Sequence, residues 1–289
     1  MKFRYYLITI LLAIFTAFLI DKLIVIPHEN NQKLIKKATV IKNSVPVLIP
    51  TPTLIPTPKP ISFAEMNVKY GPCTQVPVLM YHHIQTEADA APKKQGSLTV
   101  EPKDFKMHLQ YLKDKNYTVI TPNDLINFFD GGVALPKKSV MITLDDAYED
   151  NYFNAFPILK EFNYSAVIFT PTGLVNVPDY LNWDEINQMK SQIYFGNHTW
   201  SHYASAGTEE VLKKEISLAD TQLNEHGLNP DKVFAYPYGK PSNNAQDVLT
   251  NLNYKLAFTT TQGRILCKSQ RFTLPRIRVG NSPLSSYGL

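Results

Sequence analysis

The chain has 289 residues, 44% of them apolar and 19% charged, enough for one sizeable hydrophobic core. Its net charge of +4 is unevenly spread: eight of the 29 Lys and Arg but only two of the 25 Asp and Glu fall in residues 1–61, so that segment carries +6 and the remainder −2. The basic character therefore belongs to an N-terminal arm and does not indicate a nucleic-acid partner. Cys73 and Cys267 make no Cys-x-x-Cys pair, which excludes a zinc ribbon. Outside the cytosol they can form a disulfide if the fold brings them together.

Lys2 and Arg4 precede an apolar run over residues 5–20, broken only by Thr9 and Thr16; it resumes at 23–26 after Asp21 and Lys22. A spanning helix needs roughly 20 apolar residues. No small-x-small cleavage site and no nearby cysteine follow, so residues 1–26 read as an uncleaved signal anchor. The expected location is a single-pass cell-membrane protein with the domain that follows extracytoplasmic, or a secreted one if the segment is cleaved. Lys2 and Arg4 pull the orientation one way, and Lys33, Lys36 and Lys37 the other. Residues 27–71 lack sustained periodicity and carry six prolines between Pro46 and Pro60. They read as a semi-rigid extended linker with no partner of its own.

From residue 72 to 289 strand-like apolar runs alternate with amphipathic stretches. The runs are residues 76–81, 117–121, 139–144, 165–170, 193–196, 232–236 and 255–259. Between them Leu212, Ile216, Ala219 and Leu223 have helical spacing, with Thr208 as N-cap and Gly227 just past the end. This alternation of seven strands with helices predicts an α/β fold with a parallel sheet, most simply a barrel, with an open doubly wound sheet as the alternative. No Gly-x-Gly-x-x-Gly or Walker sequence follows a strand, so nucleotide binding has no support.

Metal-capable residues end these runs: His82-His83, Asp145-Asp146, and His198 with His202. Tyr236-Pro237-Tyr238-Gly239 ends another. In a barrel these ends share one face. Adjacent carboxylates repel unless a cation or a shared proton compensates; the simpler reading is a strand-to-helix turn capped by an Asp. One carboxylate with two imidazoles makes a three-ligand metal set, and His at i and i+4 can share one side of a helical turn. Thr199 stands where the His-Glu-x-x-His of a zincin protease needs its glutamate.

Thr143-Leu144-Asp145-Asp146-Ala147 and His198-Thr199-Trp200-Ser201-His202, with Asp179-Tyr180-Leu181-Asn182-Trp183 and Phe234-Ala235-Tyr236-Pro237-Tyr238-Gly239, resemble the motifs of the polysaccharide deacetylases of carbohydrate esterase family 4. The last of these is similar to the subgroup acting on poly-β-1,6-N-acetylglucosamine. The resemblance implies a distorted (β/α) barrel of about seven parallel strands and removal of N-acetyl groups from an N-acetylated glycan (poly-β-1,6-N-acetylglucosamine, peptidoglycan or chitin-like) with one divalent metal ion, Zn²⁺ by default and Co²⁺ or Ni²⁺ compatible. It makes Asp145 the general base and Asp146, His198 and His202 the metal ligands. The Tyr238 backbone N–H becomes the oxyanion donor, and Trp183, Tyr236, Pro237 and Asp179 become the substrate-binding wall.

Ala147 replaces the usual Gly, and Ala235 stands where the family has a base-orienting Arg, so the C-terminal segment must supply a substitute; Arg276 is the candidate. The last histidine is His226, so the family's C-terminal acid is missing. His28 lies in the linker, and His108 and His226 sit on helices, where exposure is expected. The acid then falls to His82, by likeness to relatives with a Tyr-His at the first strand, with His83 as the fallback. Alternatives are an inactive glycan-binding barrel or an O-acetyl esterase. A glycoside hydrolase is disfavoured because its two carboxylates flank the sugar rather than adjoin. No protein partner is inferred.

Overall fold

The structure, a computed structural model, describes residues 61–289. The segment read as an anchor, and the linker as far as residue 60, lie outside the described residues. Among the described residues no helix is long and apolar enough to cross a membrane.

Strands β1 (Val78–Tyr81), β2 (Ser139–Asp145) and β3 (Ala166–Thr170) are buried along their whole length, as parallel strands covered on both faces must be. β4 (Ile193–Asn197), β5 (Val233–Ala235), β6 (Leu256–Gln262) and β7 (Leu274–Arg278) follow, each parallel to the one before it. β7 returns to β1, with Ile277 opposite Leu79, and β1 pairs with β2, with Val78 opposite Met141. The sheet therefore closes into the expected parallel α/β barrel with seven strands.

Alternation along β2 sorts its side chains. Val140, Ile142 and Leu144 pack outward with the helices, whereas Met141 joins Val167, Phe169 and Leu274 inside the barrel. Burying each such aliphatic chain contributes roughly 1.5–3 kcal/mol. The same period carries Thr143 and Asp145 to the interior, level with Arg276 of β7.

Helices α1 (Phe63–Tyr70), α2 (Glu87–Lys93), α3 (Pro102–Asp114), α4 (Pro122–Gly131), α5 (Phe156–Phe162), α6 (Trp183–Met189), α7 (Glu209–Glu225) and α8 (Asn243–Asn251) complete the described fold. Thr208 caps α7 and Gly227 follows it at φ +68°, as the sequence predicts. The β6–β7 connection holds no α-helix.

Three expectations need correction. Residues 63–70, read as the end of an extended linker, form α1, nucleated by a Ser62–Glu65 capping box. The run 117–121 yields only Thr118–Val119, paired with the start of β2; the seventh barrel strand is β7, whose Pro275 and two arginines hide it from pattern reading. His108 is not exposed on α3 but buried, accepting from Tyr81 Oη (3.1 Å) and donating to Ser282 O (2.9 Å).

Candidate active site

The chain turns sharply where β2 ends. Asp146 (φ 77°) and Ala147 (φ 56°) both adopt the left-handed conformation, which costs a non-glycine residue roughly 1–2 kcal/mol. This turn leaves Asp145 pointing into the barrel and Asp146 at its mouth. Arg276 forks onto Asp145, with Nη1 and Nη2 donating to Oδ1 and Oδ2 at 2.7 Å each. Its Nε donates to Thr259 O (2.9 Å), and Nη1 also reaches Thr143 Oγ1 (3.2 Å). Burial pushes the Asp145 carboxyl up, but the Arg276 charge and fork outweigh it and hold the group below the usual carboxylate value.

Asp146, His198 and His202 form the one cluster of metal-capable side chains found among the described residues. Asp146 Oδ1 lies 3.3 Å from His198 Nε2 and 3.0 Å from His202 Nε2. His198 Nδ1 donates to Ala235 O (2.8 Å), which leaves a lone pair on Nε2. The buried Oδ1 of Asp146 thus faces imidazole nitrogen with no hydrogen-bond donor of its own. Such an orphaned carboxylate oxygen among nitrogen donors suits a divalent cation, and the three residues fit that group.

The two histidines do not share a helical turn. They lie on an irregular loop with Thr199 (φ 66°) and His202 (φ 59°) left-handed. Asn197 Oδ1 accepts from Thr199 N (2.8 Å), Thr199 Oγ1 from Tyr203 N (2.9 Å), and the Glu215 carboxylate of α7 from Ser201 N (2.9 Å). These bonds aim the two imidazoles, and sequence reading assigned none of Asn197, Thr199 or Glu215 to the site.

His82 is half-buried at the end of β1. Burial lowers its pKa, and the charges of Asp145 and Asp146 oppose that. His83 is committed elsewhere: Nδ1 lies 2.5 Å from Asp150 Oδ2, and the ring stacks on Tyr148 at 3.5 Å. Tyr238 (φ 60°) is exposed and meets His202 edge-to-face at 4.8 Å. Gly239 follows at φ +71°, where an added Cβ would fall 1.9 Å from Thr260 Oγ1.

The remaining expected substrate contacts are placed differently. Tyr236 is buried, with its hydroxyl donating to Phe272 O (2.9 Å), and Pro237 is buried beside it; neither offers a free surface. Trp183 stacks face to face on His226 at 3.8 Å, and Asp179 pairs with Lys93 (2.5 Å). The aromatic residues at the cluster are instead Tyr148 and Tyr180, 5.3 Å apart. Burial first, and the Asp146 charge next, raise both phenols above their ordinary value. Tyr148 directly follows the Asp-Asp-Ala run, a position that could have pointed to it.

A closed parallel barrel with carboxylate and imidazole groups gathered beyond its strand ends has the architecture in which α/β-barrel enzymes place their active sites. Residues 132–257 match the polysaccharide deacetylase family. YxkH of Bacillus subtilis, described only by its family as a polysaccharide deacetylase, is 26% identical over 207 residues, covering 71% of each chain. Poly-β-1,6-N-acetyl-D-glucosamine N-deacetylase of Staphylococcus epidermidis is 24% identical over 205 residues, 65% of this chain and 71% of that one. Among solved structures, the Streptococcus pyogenes deacetylase PplD in complex with acetate superposes with a TM-score of 0.68 at 28% identity, covering 74% of this chain and 98% of that one.

Proposed function

We propose that this domain is a metal-dependent N-deacetylase acting on an N-acetylglucosamine-containing polysaccharide and releasing acetate. The observation that carries the reading is the orphaned Asp146 Oδ1 between two imidazoles, beside a second carboxylate, Asp145, held ionised by Arg276. The Staphylococcus epidermidis relative, named for poly-β-1,6-N-acetyl-D-glucosamine, and the acetate complex of the Streptococcus pyogenes deacetylase support the substrate class.

Asp146, His198 and His202 would hold a divalent ion, zinc by ligand type with cobalt or nickel compatible. When bound, that ion supplies Lewis acidity that polarises the acetyl carbonyl and acidifies a water. Asp145 takes the proton of the attacking water, and Arg276 keeps its carboxylate ionised and aimed. The backbone N–H of Tyr238, a residue in the left-handed conformation, donates to the developing oxyanion. His82 gives its proton to the departing amine. An extracytoplasmic, membrane-anchored location is part of the proposal, supported by the Cys73–Cys267 disulfide and by the apolar run at residues 5–20.

The test is acetate release from a β-1,6-linked N-acetylglucosamine tetramer, with chain length followed by mass spectrometry. Acetate release that a chelator abolishes and zinc restores is the expected result, with the tetramer backbone intact. His202→Ala should lose bound zinc together with activity. Cleavage of the sugar chain, or acetate release untouched by chelator, would sink the reading.

A further inference from the structure

Beside the site lies a second cavity of about 260 Å³ that the mechanism does not use. Its wall includes His83, Asp89, Glu149, Asp150 and Asp179, with Lys93 as the one cationic lysine or arginine. Four carboxylates against one ammonium make it a cation-seeking space. An acidic cluster alone would not point to a ligand, but His83 does: the residue is 2% exposed and its Nε2 has no hydrogen-bond partner. Asp150 holds the other nitrogen of that ring (2.5 Å) and also accepts from Ile84 N (2.7 Å), so the wall is built rather than incidental.

We propose that this cavity is a subsite for a protonated amino sugar, a glucosamine unit of the polymer that has already lost its acetyl group. The inference rests on the deacetylase reading and extends it to a substrate that is partly de-N-acetylated.

Three observations support an ammonium ligand here. Lys93 already sets one against Asp179 (2.5 Å), and the hydrogen bond with that carboxylate, aided by the charges of Asp179, Asp150 and Glu149, raises the lysine pKa. The Lys93–Asp179 pair is about half exposed on both sides, and such pairs exchange readily for an equivalent cation. The cavity also adjoins the reaction site. Tyr148 stacks at 3.5 Å on His83 of the cavity wall and follows Asp146 by two residues, and Tyr180, 5.3 Å from it, directly follows Asp179 of the same wall. A polymer lying across these two tyrosines would put one sugar at the Asp-His-His cluster and a nearby one over the carboxylates.

The experiment titrates the full chain at low salt with a β-1,6-linked glucosamine tetramer and with its tetra-N-acetyl counterpart. The cationic tetramer should bind about 3- to 10-fold more weakly to Glu149→Gln. It should bind more tightly to Lys93→Met, which removes the competing ammonium. The acetylated tetramer should respond to neither substitution, and its deacetylation rate in Glu149→Gln should match the parent chain. Cationic binding that ignores both substitutions, or that equals binding of the neutral tetramer, overturns the subsite. If the binding pattern holds but no acetate is released from any tetramer, the deacetylase reading falls and the ammonium subsite stands.

Discussion

Arg276 and Asp145 meet inside the barrel as a buried ion pair, with 0% and 4% of their side chains exposed. Removing one partner of such a pair typically costs about 3–5 kcal/mol, because the survivor stays buried and unpaired. Arg276→Met should therefore be strongly destabilised and inactive. The double variant Arg276→Met with Asp145→Asn should regain a large part of the lost stability while staying inactive. Thermal or urea denaturation of the single and double variants checks this; a double variant no more stable than Arg276→Met would mean that the pair is not the cause. His82 belongs to the same scale. His82→Ala should keep stoichiometric zinc and lose roughly 10²–10⁴-fold in rate, the usual range for a lost proton-transfer group. Near-normal turnover in that variant, read against His83→Ala, would move the acid elsewhere.

Helix α3 is tied to the barrel and to the C-terminal segment by one buried histidine. His108 bridges Tyr81 at the end of β1 and the carbonyl of Ser282. Burial lowers its pKa from 6.5, against the opposing pull of the Ser282 hydrogen bond and Asp104. The sign follows directly. Above the unfolded value of about 6.5 neither state binds a proton at this site and stability is at its full value. Below it the unfolded chain takes up a proton that the folded chain refuses, so stability falls until pH passes the lowered folded pKa. His108→Gln, which keeps an acceptor and a donor, should cost about 1 kcal/mol at pH 7.5. It should also lose less stability than the parent between pH 7.5 and 5. Denaturation midpoints at the two pH values measure it; identical pH slopes would show that His108 does not titrate this way.

At the scale of the whole molecule, the Cys73–Cys267 disulfide joins residues 194 apart in sequence and clasps the start of the domain to the β6–β7 connection. The short strands Cys73–Gln75 and Ile265–Cys267 pair antiparallel there, and α1 packs beside them, with Asn67 Oδ1 accepting from Cys73 N (2.8 Å). Closing so long a loop restricts the unfolded chain far more than the folded one. Reduction should cost about 2–5 kcal/mol of stability. Because none of Asp146, His198 and His202 belongs to the clasp strands, the zinc content of the folded protein should be unchanged. Denaturation and metal analysis with and without reductant test both halves.

The sequence by itself determined what local pattern can encode. Short apolar runs alternating with amphipathic stretches imply a parallel barrel, and polar residues at the ends of those runs imply a shared site face. The meeting of Asp146, His198 and His202 was legible on that basis, because Asp146 and His198 directly follow strands and His202 comes four residues after His198. What only the tertiary structure decided are contacts between distant residues. β7 pairs with β6 and β1, and its Arg276 finds Asp145, 131 positions away; nothing local in Leu-Pro-Arg-Ile-Arg signals those partners. Likewise Tyr236 looked available and is buried, His108 looked exposed and is not, and Trp183 is spent on His226. His83 is engaged with Asp150 and Tyr148, while no side-chain hydrogen bond holds His82 among the described residues, a distinction between neighbours that no sequence pattern carries. Burial and pairing belong to the packed chain, and period and adjacency reveal them only where the partner is near in sequence.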